Sequence, residues 1–340
     1  MSIFIYIFLI VIVCVYYNKK GNPWFLYHHI GDSGVPTDWF EEHLKNIWYL
    51  NMKTLTNREI LESLEKSGKI PKNSVALTFD DGYYDNYKNA FPLLKKYKMK
   101  ATLYLNTAYV ESEENRKFRY LSWKEIEEMS SSGVFDIQLH SHRHMPIFVN
   151  TSFERVVTEA DLLDRDIQYL YRGAPKIGYP IFGKRGEFSS TGVIVPIDAA
   201  EKFKSYYENL SSEERENKEL IQNFINNELH RNLIFETFEE AKTRVLEDLN
   251  KNIFLIEEHT GYRPTFFCWP WGHKSPEFIA ILKMAGVKGF VTTRKGTNGL
   301  KLDLENIRRV ELRVFSPLKF KINLLLCRNY LLGKIYQVLS

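Results

Sequence analysis

The sequence is poor in cysteine and in net charge. Three cysteines among 340 residues form no disulfide framework. A formal charge of +4 is too small to indicate a nucleic-acid partner. Internal repeats and low-complexity tracts are lacking, and 44% hydrophobic with 14% aromatic residues is typical of a globular protein rather than a disordered one. The length allows one large α/β domain or two ordinary ones.

The N-terminal run lacks charge altogether. Residues 2–17 read SIFIYIFLIVIVCVYY and are followed by NKK. A basic start and a small-residue cleavage site are missing, which favours an uncleaved anchor over a removable signal peptide. A helix of this length spans roughly 24 Å, so flanking residues must help it cross a ~30 Å hydrocarbon core. We expect residues 1–20 to anchor the chain in a membrane, with the side of the membrane left open.

The C-terminal part lacks acidic residues. From Arg313 to Ser340 there are five Lys/Arg and no Asp or Glu, interleaved with the apolar KINLLLCRNYLLGKIY. This pattern predicts a basic amphipathic helix over residues 316–340 that lies on an anionic surface. A helix packed on the domain with solvated lysines remains an equal alternative.

Short apolar runs alternate with helical patterns, which predicts a parallel sheet. About seven such units favour a distorted (β/α)7-type barrel over residues 21–315, with an open doubly wound sheet as the alternative. The predicted strands are 24–27, 75–79, 101–105, 135–139, 265–269, 289–293 and 307–310, and the predicted helices are 40–50, 57–67, 86–98, 123–131, 239–258 and 275–285.

Residues 146–238 interrupt this rhythm. They include the loop-like YRGAPKIGYPIFGKRGEF region and continue as a charged helical stretch. We interpret them as a helical insertion on the barrel rim, since long ordered insertions are often lids or binding loops.

Polar and aromatic side chains follow several predicted strands where they end. Asp80-Asp81 follows VALTF, HSHRH follows FDIQL, WPWG follows TFFC, and His28-His29 follows WFLY. Parallel barrels carry their active sites at this end of the strands.

His140 and His144 are four residues apart, so one helical turn would bring both imidazoles to one side. With one carboxylate they would form a two-His, one-carboxylate site for Zn²⁺, or for Fe²⁺, Co²⁺ or Ni²⁺. The second aspartate would stay free as a base, and the cation would relieve the repulsion between the two carboxylates. His142 points elsewhere by its spacing.

These motifs resemble those of the polysaccharide deacetylases of the NodB-homology type, carbohydrate esterase family 4. LTFDDG is similar to the first motif of that family, HSHRH to the second, and FFCWPWG to its aromatic-proline-aromatic-glycine strand. The N-terminal FLYHHI and DWFEEHLKNIWYLNMKTLT resemble the branch that contains the poly-N-acetylglucosamine deacetylases. The resemblance covers about 20–145 and 239–315.

The resemblance implies a metal-dependent hydrolase that removes N-acetyl groups from an amino sugar in a polysaccharide or lipid-linked glycan. It implies a divalent metal, most simply zinc. The implied roles are metal ligation for Asp81, His140 and His144, general base for Asp80, general acid for His28, and substrate binding for Tyr27, Trp269, Pro270 and Trp271.

The sequence departs from the family at the arginine that braces the base, because no Arg-x-Pro follows the WPWG strand. Arg172, in RGAP, is the expected surrogate, and His273 is an alternative acid. Three other functions stay open: a glycan-binding member without catalysis, a deformylase or other acyl amidase acting on a lipid-linked sugar, and an anchored scaffold.

Overall fold

The structure is a computed structural model that describes residues 20–112, 119–312 and 316–339. The predicted anchor, residues 2–17, lies outside these ranges. Within them, no helix combines the length and apolarity needed to cross a bilayer.

Strands and helices alternate along the first part of the chain and again near its end. The strands are β1 Gly21–Asn22, β2 Trp24–Tyr27, β3 Lys53–Thr54, β4 Ser74–Asp81, β5 Ala101–Leu105, β6 Phe135–Leu139, β7 Pro146–Val156, β8 Pro180–Gly186, β9 Val193–Ile194, β10 Ile234–Phe235, β11 Phe266–Cys268, β12 Gly289–Val291, β13 Asn298–Gly299 and β14 Val310–Glu311. The α-helices are α1 Thr37–Tyr49, α2 Asn57–Ser67, α3 Phe91–Lys96, α4 Trp123–Ser131, α5 Arg165–Leu170, α6 Ile197–Glu208, α7 Ser212–Glu216, α8 Lys218–Phe224, α9 Phe238–Thr260, α10 Pro276–Met284, α11 Pro317–Arg328 and α12 Tyr330–Leu339.

The chain divides into two compact units. One consists of the described chain up to Arg143, Asp248–Gly272 and the chain from Leu282 onward. The other consists of His144–Glu247 and His273–Ile281.

The first unit is built on a curled, parallel half-barrel sheet with the order β12-β11-β6-β5-β4-β2-β14, and β3 pairs beside β4. Its central strands are buried along their whole length, as parallel strands covered on both faces are. The prediction of an α/β fold with a parallel sheet is confirmed. Among the described residues, β12 and β14 are not paired as strands: a parallel bridge from Val291 to Ile307 and a few backbone hydrogen bonds, such as Thr292 N–H to the Ile307 carbonyl, link β12 to the segment that leads into β14.

The second unit contains a four-stranded antiparallel sheet, β10-β9-β7-β8, and its own apolar core. The charged stretch of the insertion forms helices α6, α7 and α8 as predicted, and the sheet beside them was not predicted from the sequence. β7 and β8 pair with each other, and helix α5 lies between them in the sequence. Pro180 is the first residue of β8, a position where the missing N–H of proline is tolerated. The proposed bounds of the domain and insertion stay predictions.

The C-terminal part forms two helices instead of the single predicted one. The Asn329 side chain accepts hydrogen bonds from the backbone N–H groups of Leu331 and Leu332, which caps α12 and ends α11. α11 packs on the sheet unit through Phe320, whose ring centroid lies 4.5 Å from that of Phe25 and 4.1 Å from that of His43.

Candidate metal centre and its cleft

The two aspartates lie at the carboxyl end of β4, where the chain turns sharply. Asp81 (φ 76°) and Gly82 (φ 86°) both adopt left-handed backbone conformations. A Cβ atom at Gly82 would approach the Leu105 side chain to 2.6 Å, so the turn favours glycine twice over. The turn leaves Asp80 buried below the strand end and Asp81 partly exposed above it.

Asp81, His140 and His144 offer ligand atoms that all lie within 4.8 Å of one another. His140 Nε2 is 3.4 Å from Asp81 Oδ1. His140 Nδ1 lies 2.8 Å from the Cys268 carbonyl oxygen, which orients the ring with Nε2 toward the other two ligands. Two imidazoles and one carboxylate suit zinc and similar divalent metals, so this donor set fits the predicted cofactor.

The HSHRH segment reaches this geometry without the helical turn that its spacing suggested. Ser141 (φ 71°) and His144 (φ 52°) are left-handed, and the buried Asp248 carboxylate accepts hydrogen bonds from the backbone N–H groups of His142 and Arg143 at 2.6 and 2.9 Å. Sequence reasoning missed Asp248. The His142 Nδ1 atom lies 2.8 Å from Thr107 Oγ1, and His142 is not among the three grouped ligands.

Arg309 braces the candidate base. Its Nη1 and Nη2 lie 2.7 and 2.8 Å from the two carboxylate oxygens of Asp80, and both side chains are buried. Burial raises the pKa of Asp80, but the Arg309 guanidinium outweighs it and holds that pKa below its usual value. Asp80 is therefore an anion at neutral pH.

Arg309 was not identified from the sequence, where IRRV is a predicted strand. Arg309 makes the bracing contact that was expected of Arg172. Arg172 is an exposed, left-handed turn residue in the second unit. Its predicted part in substrate binding stays a prediction.

A second group of possible ligands overlaps the first and consists of Asp80, His140 and Cys268. Both oxygens of Asp80 already accept hydrogen bonds from Arg309, and burial raises the pKa of the Cys268 thiol. A neutral thiol and an occupied carboxylate are poorer ligands, so the Asp81 group is the stronger candidate.

His28 and His29 follow β2 at the same sheet edge. His28 Nε2 is 4.0 Å from Asp81 Oδ2. His29 is held differently, because its Nδ1 lies 2.7 Å from Asp85 Oδ2 and its ring stacks on Tyr83. Both histidines line a cavity of about 440 Å³ together with Asp32, Ser33, Gly34, Tyr83 and Leu312.

Three residues predicted to bind substrate are buried. Tyr27 is inaccessible, with its hydroxyl 3.1 Å from His43 Nδ1, because β2 is covered on both faces and is buried along its whole length. Trp269 and Pro270 are buried too, and the Trp269 ring packs on Phe290. Of the WPWG aromatics only Trp271 is exposed, at 39%.

His273, the alternative acid, lies in the second unit. Its Nδ1 accepts a hydrogen bond from the Gly186 backbone N–H at 3.0 Å, and burial lowers its pKa. This contact gives His273 a structural role there.

The chain is similar to known deacetylases. The sequence profile of the polysaccharide deacetylase family matches residues 67–186. The poly-beta-1,6-N-acetyl-D-glucosamine N-deacetylase of Staphylococcus aureus is 37% identical over 113 residues, 33% of this chain and 39% of the relative. The putative polysaccharide deacetylase YxkH of Bacillus subtilis is 30% identical over 162 residues, 47% of this chain and 56% of the relative. The match thus spans about two fifths to just over half of these relatives.

The fold has a solved counterpart. The deacetylase domain of BpsB from Bordetella bronchiseptica superposes with a TM-score of 0.59 at 18% identity, covering 86% of this chain and 96% of that one. At this identity the likeness concerns the fold.

Proposed function

We propose, on the match of residues 67–186 to the polysaccharide deacetylase family, that the chain is a metal-dependent hydrolase that removes N-acetyl groups from an amino sugar in a polysaccharide. The observation that carries the proposal is the grouping of Asp81, His140 and His144 beside an ionised, arginine-braced Asp80. The amino-sugar substrate is suggested by the staphylococcal relative, which is named for poly-N-acetylglucosamine.

The proposed cofactor is a divalent metal held by Asp81, His140 and His144. Zinc is the metal we expect, and cobalt, nickel or iron suits the same donors. When bound, such a metal supplies Lewis acidity toward the amide carbonyl and the attacking water.

The chain's own groups supply the proton transfers of the proposed reaction. Asp80, kept anionic by Arg309, takes a proton from water as the water oxygen adds to the amide carbon. His28 donates a proton to the amide nitrogen as the C–N bond breaks, since an amide nitrogen leaves poorly as an anion. The products are acetate and a free amino sugar.

We also propose that the uncharged residues 2–17 attach the protein to a membrane, on a side that is left open. A membrane-attached enzyme would act on a glycan near the bilayer.

Acetate release from N-acetylglucosamine polymers and from a lipid-linked amino sugar tests the activity. Asp80→Asn should lower turnover by roughly 10²–10⁴-fold while metal content is unchanged. His140→Ala should lose metal and activity together, as should the wild type after chelation.

The matched pair His28→Ala and His29→Ala tests the acid. We expect a loss on the order of 10²–10⁴-fold for His28→Ala and a much smaller one for His29→Ala, and the reverse order would reassign the acid to His29. Absence of acetate from folded, metal-loaded wild type would favour a different acyl group, such as formyl, or glycan binding without catalysis.

A further inference from the structure

The amino-terminal edge of the parallel sheet is strongly basic. Lys20, Lys69, Lys72 and Lys98 are exposed and precede β1, β4 or β5, so they lie at the edge where these strands begin. The sequence holds no acidic residue over 66–79 or 86–110. Among the described residues, Lys69, Lys72 and Lys98 have no ion-pair partner. These three lysines therefore present positive charge that no ion pair compensates, beside the Glu65–Lys288 pair at the start of β12.

Two large aromatic side chains stand at the same edge. Trp48 is 60% exposed and Tyr49 is 74% exposed at the end of α1. The Asn73 side chain, just before β4, donates a hydrogen bond to the Asn51 carbonyl at 2.5 Å, which ties this helix end to the basic edge. Trp48 and Lys98 line one shallow depression. Exposed Trp and Tyr are typical of surfaces that contact lipid headgroups.

The end of α11 and the start of α12 also lie at this edge. Gly21 packs against the Cys327 carbonyl so closely that a Cβ atom would come within 2.1 Å of its oxygen, and the neighbouring Asn22 donates a hydrogen bond to the Ser74 carbonyl at the start of β4. Tyr330, the first residue of α12, contacts Gly299, which pairs with Gly21.

The outer faces of these two helices are apolar. Leu331, Ile335 and Val338 are exposed at i, i+4 and i+7 spacing along α12, and Leu318 and Ile322 are exposed on α11. No acidic residue follows Glu311 in the sequence. Contiguous exposed aliphatic side chains are uncommon on surfaces that contact only water. On an anionic bilayer, an amphipathic helix buries its aliphatic side chains in the interface while its lysines contact the headgroups.

We propose that this amino-terminal edge, with the outer faces of α11 and α12, docks on an anionic lipid bilayer. The lysines complement the headgroup charge, and the aliphatic and aromatic side chains enter the interface. The sequence supports this occupant, because the uncharged run 2–17 ends three residues before Lys20, the residue at this edge with which the described chain begins.

The docking surface sets the orientation of the candidate site. β4 runs from Ser74 at the basic edge to Asp81 at the metal centre, and seven residue steps of strand cover about 23 Å. The site therefore opens on the side away from the bilayer. Taken with the proposed function, on which this step rests, the orientation favours a polymer strand above the membrane over a lipid-linked sugar.

Depth-dependent fluorescence quenching tests the docking without any activity measurement. A bimane label is placed at Ile335→Cys or, for comparison, at Ser33→Cys near the candidate site. The full chain carries Cys14→Ser so that this cysteine is not labelled, and the two other cysteines are buried. The protein is bound to vesicles of phosphatidylcholine with or without phosphatidylserine, each containing brominated lipid. We expect quenching at Ile335→Cys in the anionic vesicles and none at Ser33→Cys.

Charge substitutions provide the matched control. The first triple variant combines Lys69→Gln, Lys72→Gln and Lys98→Gln. Its equilibrium constant for placing the Ile335→Cys label in lipid should fall on the order of 100-fold, about fivefold for each lysine. Lys88→Gln, Lys124→Gln and Lys251→Gln remove equal charge from exposed positions away from this edge and should leave the quenching unchanged. Equal quenching at both labels, no quenching at Ile335→Cys, or equal loss in both triple variants would overturn the proposal, whatever the outcome of the acetate assay.

Discussion

At the scale of single residues, the Asp80–Arg309 pair decides whether the candidate base can work. The pair is bidentate and buried, and Arg309 also donates a hydrogen bond to the Thr292 carbonyl. Because the pKa of Asp80 is lowered in the folded state, the ionised carboxylate adds stability above its unfolded-state pKa. That stability is lost as the pH falls through the folded-state value.

Removing Arg309 should therefore damage both stability and chemistry. Arg309→Ala leaves a buried carboxylate without its partner, so we expect a loss of about 3–5 kcal/mol in the free energy of unfolding. Arg309→Lys keeps the charge but not the bidentate geometry, so it should be milder and shift the acidic limb of the pH–rate profile upward. Urea unfolding and acetate release measure these effects.

The adjacent Arg308→Lys is the control for the arginine substitutions. Arg308 is half-buried and donates a hydrogen bond to the Lys295 carbonyl at 3.3 Å. Its replacement should change neither the pH–rate profile nor the unfolding free energy by more than about 0.5 kcal/mol. An unchanged profile in Arg309→Lys would contradict the bracing role.

At the scale of elements, helix ends position the strands that lead to the site. α4 begins with a capping box in which the Ser122 hydroxyl accepts a hydrogen bond from the Glu125 N–H and the Glu125 carboxylate accepts one from the Ser122 N–H. This helix packs on β6, the strand that leads to His140. The sequence pattern LSWKE marks the same helix start.

Ser122→Ala should cost about 1 kcal/mol of unfolding free energy, because it leaves N-terminal N–H groups of the helix without their partner. Ser131→Ala, at the exposed end of the same helix, is the matched control. It should change the free energy of unfolding by only about 0.3 kcal/mol in either direction. Urea denaturation of both variants checks the difference. Equal destabilisation would mean that the cap adds nothing.

At the scale of the whole molecule, ligand binding and folding are linked. A metal that binds the folded Asp81, His140 and His144 group and not the unfolded chain stabilises the protein by mass action, by roughly 2.7 kcal/mol at a free concentration 100 times the dissociation constant. The two compact units have separate cores, so unfolding need not be a single transition.

Differential scanning calorimetry with and without zinc tests this linkage. Zinc should raise the midpoint temperature of at least one unfolding transition of the wild type by several degrees. The transition temperatures of His140→Ala should be the same with and without zinc. His142→Ala is a useful companion, because His142 stands two residues from His140 but contacts Thr107. A zinc response that survives in His140→Ala would remove His140 from the ligand set.

The local pattern of the sequence was enough to predict the parallel sheet and the residues that meet at its carboxyl edge. Strands 101–105 and 135–139 and helix 123–131 have the predicted bounds, because apolar periodicity reports directly on local conformation and burial. The paired aspartates end β4 and HSHRH follows β6, two parallel strands with β5 between them, so the strand order brings both motifs to the same edge of the sheet.

Only the tertiary structure decided which side chains face the site and which partners they have there. Arg309 meets Asp80 across 229 positions of sequence, a contact that no local pattern carries. Tyr27 and Trp269 have the residue types of a sugar site, yet packing in the core buries both of them. The antiparallel pairing of β7 with β8 also could not be read from the periodicity of the sequence. Packing of the two segments, which are separated in sequence, fixes their register.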